Sequence, residues 1–250
     1  MGVGLQICSP LVTDMLGARA LIAAYVPCVD CTAAASRAHV TTKRRRYGKR
    51  CSMRFGTRVD EWLTSFVDRG WLDFEYECDR EFKKLLIGGD VAATAAHLIR
   101  EALVGAGFVA IESQLKVEAY GLGPVLDLLG FDAQGTLTLV EVKCGVSATD
   151  RRQNGKMLPP LEAIAYTGEN MAFMQLAVQL ACVRETPGLS AILGCNTTKQ
   201  PTQAWLLSYT APMPDTNETG IVRIRSLPEV IASAVESLCR NYQLDAQETI

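Results

Sequence analysis

Two short apolar runs near the middle of the chain, separated by four turn-forming residues, organise the hydrophobic pattern around them. Val125 to Phe131 and Thr136 to Val142 have strand length, and Asp132-Ala133-Gln134-Gly135 between them favours chain reversal. Upstream, Asp90 to Val104 is alanine-rich and reads as a helix, and Phe108 to Tyr120 reads as extended. Downstream, Asn170 to Arg184 is a long apolar helix, Ser190 to Asn196 and Ala204 to Tyr209 are strands, and Ile221 to Arg225 is a short final strand. A last helix follows Ser226, with Pro228 in its first turn, and runs to about Tyr242. The order from Asp90 is therefore α-β-β-β-α-β, a mixed α/β arrangement with a central sheet flanked by helices. Leu11 to Tyr25, Phe55 to Asp68 and Phe74 to Leu86 are predicted helices that form an N-terminal cap. With 250 residues, 48% of them hydrophobic, the chain can bury one sizeable core. A single domain is expected, with residues 1–89 as helical cap and basic loop and residues 90–250 as core.

The hairpin carries the chemistry. A three-residue loop from Ala133 to Gly135, with Gly135 in the left-handed conformation, centres the pair on Gln134. That register sets Asp127 opposite Glu141, with roughly 4.5 to 5.5 Å between Cβ atoms. Such proximity of like charges is unfavourable, and a shared proton or a divalent cation must offset it. The two-residue period of a strand puts Lys143 on the face of Glu141, with Val140 and Val142 on the other. Glu-x-Lys also occurs on solvated sheet faces. Here Leu126 and Leu128 flank the aspartate and Val140 and Val142 the glutamate, which favours a packed site.

Two carboxylates with a backbone carbonyl near Val142 form a hard-oxygen donor set suited to Mg²⁺ or Mn²⁺. Lys143 is placed to orient a water or to neutralise charge on phosphorus. The expected chemistry is metal-dependent phosphodiester hydrolysis.

Pro124-Val125-Leu126-Asp127 followed by Glu141-Val142-Lys143 resembles the signature of the PD-(D/E)XK nuclease superfamily, with Asp127, Glu141 and Lys143 at its positions and the proline displaced by two residues. The resemblance implies a restriction-endonuclease-like core and a Mg²⁺-dependent DNA nuclease. In NMAFMQLAVQL, Gln175 and Gln179 stand at i and i+4 on one helix face. In the branch resembling lambda-type exonuclease, viral alkaline nuclease and RecB-like domains, a glutamine of this helix belongs to the active site, which points first to Gln175. Gln179 is the second choice for that role and is also assigned to DNA. The same branch carries an upstream Gly-x-x-x-Glu or Gly-x-x-x-His helix. Gly56-Thr57-Arg58-Val59-Asp60 has that spacing, which makes Asp60 the candidate third metal ligand, with Glu61 and Glu101 as substitutes. The resemblance further implies exonuclease-like action in DNA recombination, replication or repair, with a viral or phage association and an oligomer or recombination partner.

Net charge is −2, so any nucleic-acid contact must be local. Lys43, Arg44, Arg45, Arg46, Lys49 and Arg50 form a basic run, followed by Arg54 and Arg58. Such a run holds phosphates non-specifically and is read as a DNA contact, with a nuclear import signal or a plain basic loop as rivals. Arg151 and Arg152, with Lys156, lie in a polar loop after the hairpin and are expected to grip the strand being cut. Cys28, Cys31, His39 and Cys51 are candidate ligands for a structural Zn²⁺, but only the first pair has zinc-site spacing, and free thiols are the default. Nine cysteines and no recognisable signal peptide favour a reducing cytoplasmic or nuclear compartment over secretion. No apolar run approaches membrane-spanning length. Trp62, Trp71 and Trp205 are assigned to packing.

Overall fold

The computed structural model describes residues 21–22, 54–73, 84, 86, 89–144, 152–186, 203–210 and 220–248. In chain order the elements are helix α1 (54–68), helix α2 (Val91–Gly105), strands β1 (Val109–Lys116), β2 (Val125–Phe131), β3 (Leu137–Cys144), β4 (Arg152–Lys156) and β5 (Ala165–Thr167), helix α3 (Gly168–Glu185), strands β6 (Gln203–Thr210) and β7 (Ile221–Ser226), and helix α4 (Glu229–Glu248). Five strands form one mixed sheet in the order β1-β2-β3-β6-β7. The β3–β6 pair is parallel and the other neighbours are antiparallel. The expected order α-β-β-β-α-β is therefore observed, with β4 and β5 inserted as a separate two-stranded sheet.

Alternation along the strands sorts side chains into two cores. On one face Leu137, Leu139, Ala204 and Leu206 pack with α3 and with Ile231, Val235 and Leu238 of α4. On the other, Val140, Val142, Leu207 and Tyr209 pack with Val59, Leu63 and Phe66 of α1 and with α2. Helix α2 approaches closely because Ala92, Ala93, Ala95 and Ala96 are small and buried. It starts where Asp90 accepts the Ala92 and Ala93 amides, both at 3.0 Å, in an N-cap that satisfies orphan donors of the first turn. Arg100, 6% exposed, donates through Nε and Nη2 to the Trp71 carbonyl at 2.9 and 2.7 Å, tying the segment after α1 to α2. Trp71 is itself buried and donates to the Phe108 carbonyl, a packing role that agrees with the sequence.

Helix α3 is buried from Ala172 to Val183 apart from Gln175, as expected of a helix apolar on most sides and covered by a sheet and a second helix. Thr167 caps it by accepting the Asn170 amide at 3.0 Å. The last helix is longer than the pattern indicated, and Pro228 sits just before it, its carbonyl accepting the Ala232 amide at 3.0 Å. Arg152 and Lys156 lie on β4, not in a loop, since this segment pairs with β5. Of the predicted N-terminal helices, Phe55 to Asp68 is present as α1. Leu21 and Ile22 are helical and buried, and residues 84 and 86 are helical. The remainder of those two segments, and the strand expected from Ser190 to Asn196, lie outside the described residues.

The β2–β3 hairpin has the register derived from its turn. Phe131 pairs with Leu137, Gly130 with Thr138, Leu129 with Leu139 and Leu128 with Val140, symmetric about Gln134. Gly135 has φ +71°. Asp132 locks the loop, its Oδ1 accepting the Gln134 and Thr136 amides at 2.9 and 2.8 Å. Further along, Gly130 lies between β1 and β3, where a Cβ would stand 2.1 Å from the Val109 carbonyl oxygen.

Gly130→Ala therefore overpacks the sheet centre and should lower stability by about 1–3 kcal/mol or more. At roughly 2–4 °C of Tm per kcal/mol for a chain of this size, the loss is readable by thermal unfolding. Gly135→Asn, in open space at a left-handed position that asparagine tolerates, should change Tm far less.

Candidate active site

The β2–β3 ladder ends at Leu128–Val140, and one step beyond it Asp127 replaces backbone with side chain. Its Oδ2 accepts the Val142 amide at 2.8 Å, bridging the strands as they part. The ladder stops one step short of the expected Asp127–Glu141 pair, and the Glu141 carboxylate lies close enough for its charge to act on Asp127. Glu141 projects toward α3 on the face of Leu137 and Leu139, and it is 1% exposed.

A buried carboxylate is costly unless hydrogen bonds compensate it, and Glu141 has three donors. Lys143 Nζ and Gln175 Nε2 both reach Oε1, the latter at 2.8 Å, and Gln179 Nε2 reaches Oε2 at 2.8 Å. Lys143 also donates to Gln175 Oε1 at 3.2 Å, so lysine, glutamate and glutamine close a triangle. The neighbours fix both amide orientations. Gln175 must turn nitrogen to the carboxylate and oxygen to the amine. Gln179 faces two acceptors, Glu141 Oε2 and the Val125 carbonyl at 2.9 Å, so its nitrogen must point inward. Its Oε1 is buried without a partner among the described residues.

Asp127, Glu141, Lys143 and Gln175 are thus brought together as the sequence indicated. Asp60, on α1, lies close enough for its charge to act on Asp127 and on Cys144. Glu61 is exposed on α1, and Glu101 is occupied with Arg100. Gln179 requires a correction: it is 1% exposed and bound to Glu141, so it cannot be the DNA contact assigned to it. The i, i+4 spacing identified the shared face but not that α3 presses that face onto the sheet. Arg58 is exposed and ion-paired with Asp90, the cap of α2, and Arg54 is exposed at the start of α1. Backbone pairing places Arg152 opposite Thr167, the N-cap of α3. Lys43, Arg44, Arg45, Arg46, Lys49, Arg50, Arg151, Cys28, Cys31, His39 and Cys51 lie outside the described residues.

Burial raises the Asp127 carboxyl to about 8, and the nearby Glu141 and Asp60 carboxylates push the same way against Lys143 and the Val142 amide. Burial, with Asp60 and Asp127, also holds the Cys144 thiol up at about 12, which makes it a poor nucleophile. Among the described residues no three His, Cys, Asp or Glu side chains form a ready-made metal cage. The donor chemistry still fits a hard divalent ion that keeps most of its waters. Of about four acceptor positions on a carboxylate, Glu141 uses three, whereas Asp127 uses one. Open acceptor capacity therefore lies mainly on Asp127.

No family model and no curated protein matches the sequence. Among solved structures, similarity is found to one described as "Putative exonuclease" from Eubacterium rectale, with TM-score 0.39 and 14% identity over 79% of this chain and 65% of that one. An alkaline exonuclease from Laribacter hongkongensis aligns with TM-score 0.33 and 13% identity over 61% of this chain and 64% of that one. This chain thus spans less than two thirds of either structure's length.

Two outcomes are expected in metal-free buffer. A carboxyl raised in the folded state stabilises the protein fully below the unfolded value near 4, and the contribution is lost as pH rises through about 8. Asp127→Asn should accordingly raise Tm more at pH 8 than at pH 5, and an equal shift at both would contradict the assignment. Gln179→Leu strips a donor from a buried carboxylate and should cost about 1–3 kcal/mol in urea unfolding.

Proposed function

We propose that this chain is a Mg²⁺- or Mn²⁺-dependent deoxyribonuclease of the PD-(D/E)XK type that hydrolyses DNA phosphodiester bonds in an exonuclease-like manner, in DNA recombination, replication or repair. The observation that carries the reading is the Lys143–Glu141–Gln175 triangle with Asp127 close enough to feel the Glu141 and Lys143 charges. An ion pair needed only for packing would not require an amide to bridge both partners at the rim of the sheet. Nor would it face a second carboxyl that burial drives toward protonation.

Asp127, with Glu141 and Asp60, would hold the ion. When bound, it supplies a water acidified to near-neutral pKa and a positive charge toward phosphate oxygens. The chain's own residues do the positioning. Gln175 keeps Lys143 and Glu141 in fixed relation, and Gln179 prevents the glutamate from turning away. Two Lys143 N–H groups are committed to Glu141 and Gln175. The third is left for a non-bridging phosphate oxygen or the attacking water, where charge develops at the transition state. With its side chain 18% exposed, Lys143 can meet a substrate that the buried glutamate cannot reach.

Purified protein should cleave linear duplex DNA with Mg²⁺ or Mn²⁺ and not with EDTA. Lys143→Ala should lose at least about a hundredfold in kcat while unfolding at a similar temperature. Metal-independent cleavage, or full activity of a folded Lys143→Ala protein, would sink the mechanism. Nicking of covalently closed circles would convert the exonuclease-like reading to an endonuclease. Tight DNA binding without cleavage under either metal would indicate a silent binding subunit.

A further inference from the structure

The site's face continues across two more strands, and one exposed cation lies at the end of that path. Register pairs Lys143 of β3 with Ser208 of β6, and Ser208 with Arg223 of β7. The preceding row on the same face is Glu141, Leu206 and Arg225. Packing confirms the shared face: Leu139, Ala204 and Leu206 belong to the core under α3, whereas Val142, Leu207, Tyr209, Val222 and Ile224 pack on the opposite side.

The two arginines of β7 differ in their surroundings. Arg225 is partly buried and ion-paired with Glu169 in the first turn of α3, and its Nε is enclosed. That pairing neutralises it and ties β7 to the helix. Arg223 lies one row further toward the rim and is exposed. Among the described residues it has no acidic partner, unlike Arg58, Arg100, Arg184, Arg225 and Arg240, each of which is ion-paired. An exposed guanidinium two strands from the proposed catalytic lysine, beyond the buried Ser208, is a local positive feature in a chain of net charge −2.

We infer that Arg223 is a substrate-binding residue that grips a backbone phosphate of the nucleic-acid strand whose scissile phosphate lies at Lys143. The inference rests on the nuclease reading and extends it by fixing the direction of the strand, across the sheet from β3 over β6 to edge strand β7. Two strand spacings, about 9.5 Å, separate the backbones of Lys143 and Arg223. At about 3.4 Å of rise per nucleotide, the gripped phosphate lies two to three nucleotides from the cut. The planar guanidinium offers paired N–H donors to phosphate oxygens, and the contact positions the strand without reading its sequence.

The test is fluorescence anisotropy of a labelled linear duplex in Ca²⁺, alongside cleavage kinetics in Mg²⁺, for the wild type, Arg223→Gln, Arg223→Lys and Arg240→Gln. Arg240 is an exposed cation on α4 and controls for loss of one charge anywhere on the surface. Arg223→Gln should weaken binding about three- to tenfold and raise KM with kcat little changed. It should also reduce the slope of log K against log salt by about 0.7 to 0.9, the signature of one lost phosphate contact. Arg223→Lys should keep most of the slope, and Arg240→Gln should keep all of it. If the wild type binds and cuts DNA while Arg223→Gln matches it in slope and KM, or Arg240→Gln loses as much, the Arg223 contact is wrong and the nuclease reading stands. If the wild type neither binds nor cuts, both are wrong.

Discussion

A negative charge is held almost without solvent at the centre of this fold, and much of the site's architecture compensates it. Glu141 is 1% exposed between the sheet and α3, where an uncompensated carboxylate would cost several kcal/mol. An amine and two amides satisfy it, and their positions dictate the packing of α3 on the sheet. Gln179 also takes the Val125 carbonyl, so the helix is registered against β2 as well as β3. The apolar residues around these contacts make the helix bury. The polar contacts select the single rotation and depth at which it buries.

Asp127 faces the opposite demand. It sits where two strands separate, holds one backbone amide, and keeps most of its acceptor capacity free. Two carboxyl groups on adjacent inner strands thus divide their duties by environment. The glutamate is locked by protein donors, and the aspartate keeps open acceptor positions and a carboxyl raised by burial. Glu141 and Asp60 add to the cost of ionising Asp127, a cost that the proposed divalent ion would offset.

How legible this was in the sequence varies with the range of the interaction. The hairpin register followed from the turn residues, because Asp132 and Gly135 determine a loop whose consequences reach four residues along each strand. Gln175 could be found because helical periodicity and a family resemblance pointed to the same position. Gln179 had the same periodicity, but spacing on a helix cannot tell which part of a face is covered, so it was assigned to substrate when it is buried against Glu141. From sequence β4 reads as a loop because its polar residues carry no apolar alternation, and pairing with β5 decides it. Arg223 gave no signal at all. Its relation to Lys143 depends on β6 inserting between β3 and β7, and strand order of that kind is set by the whole core.

The distance along the chain between Glu141 and its amide donors bears on how the protein folds. The hairpin is local and can form early, but Gln175 and Gln179 lie 34 and 38 residues further on. Until α3 docks, pairing β2 with β3 brings two carboxyl groups together with few of the groups that later compensate them. Docking of the helix therefore favours the final alignment of the strands over the hairpin alone. The completion of the site and the docking of α3 on the sheet are thereby coupled through the same three side chains.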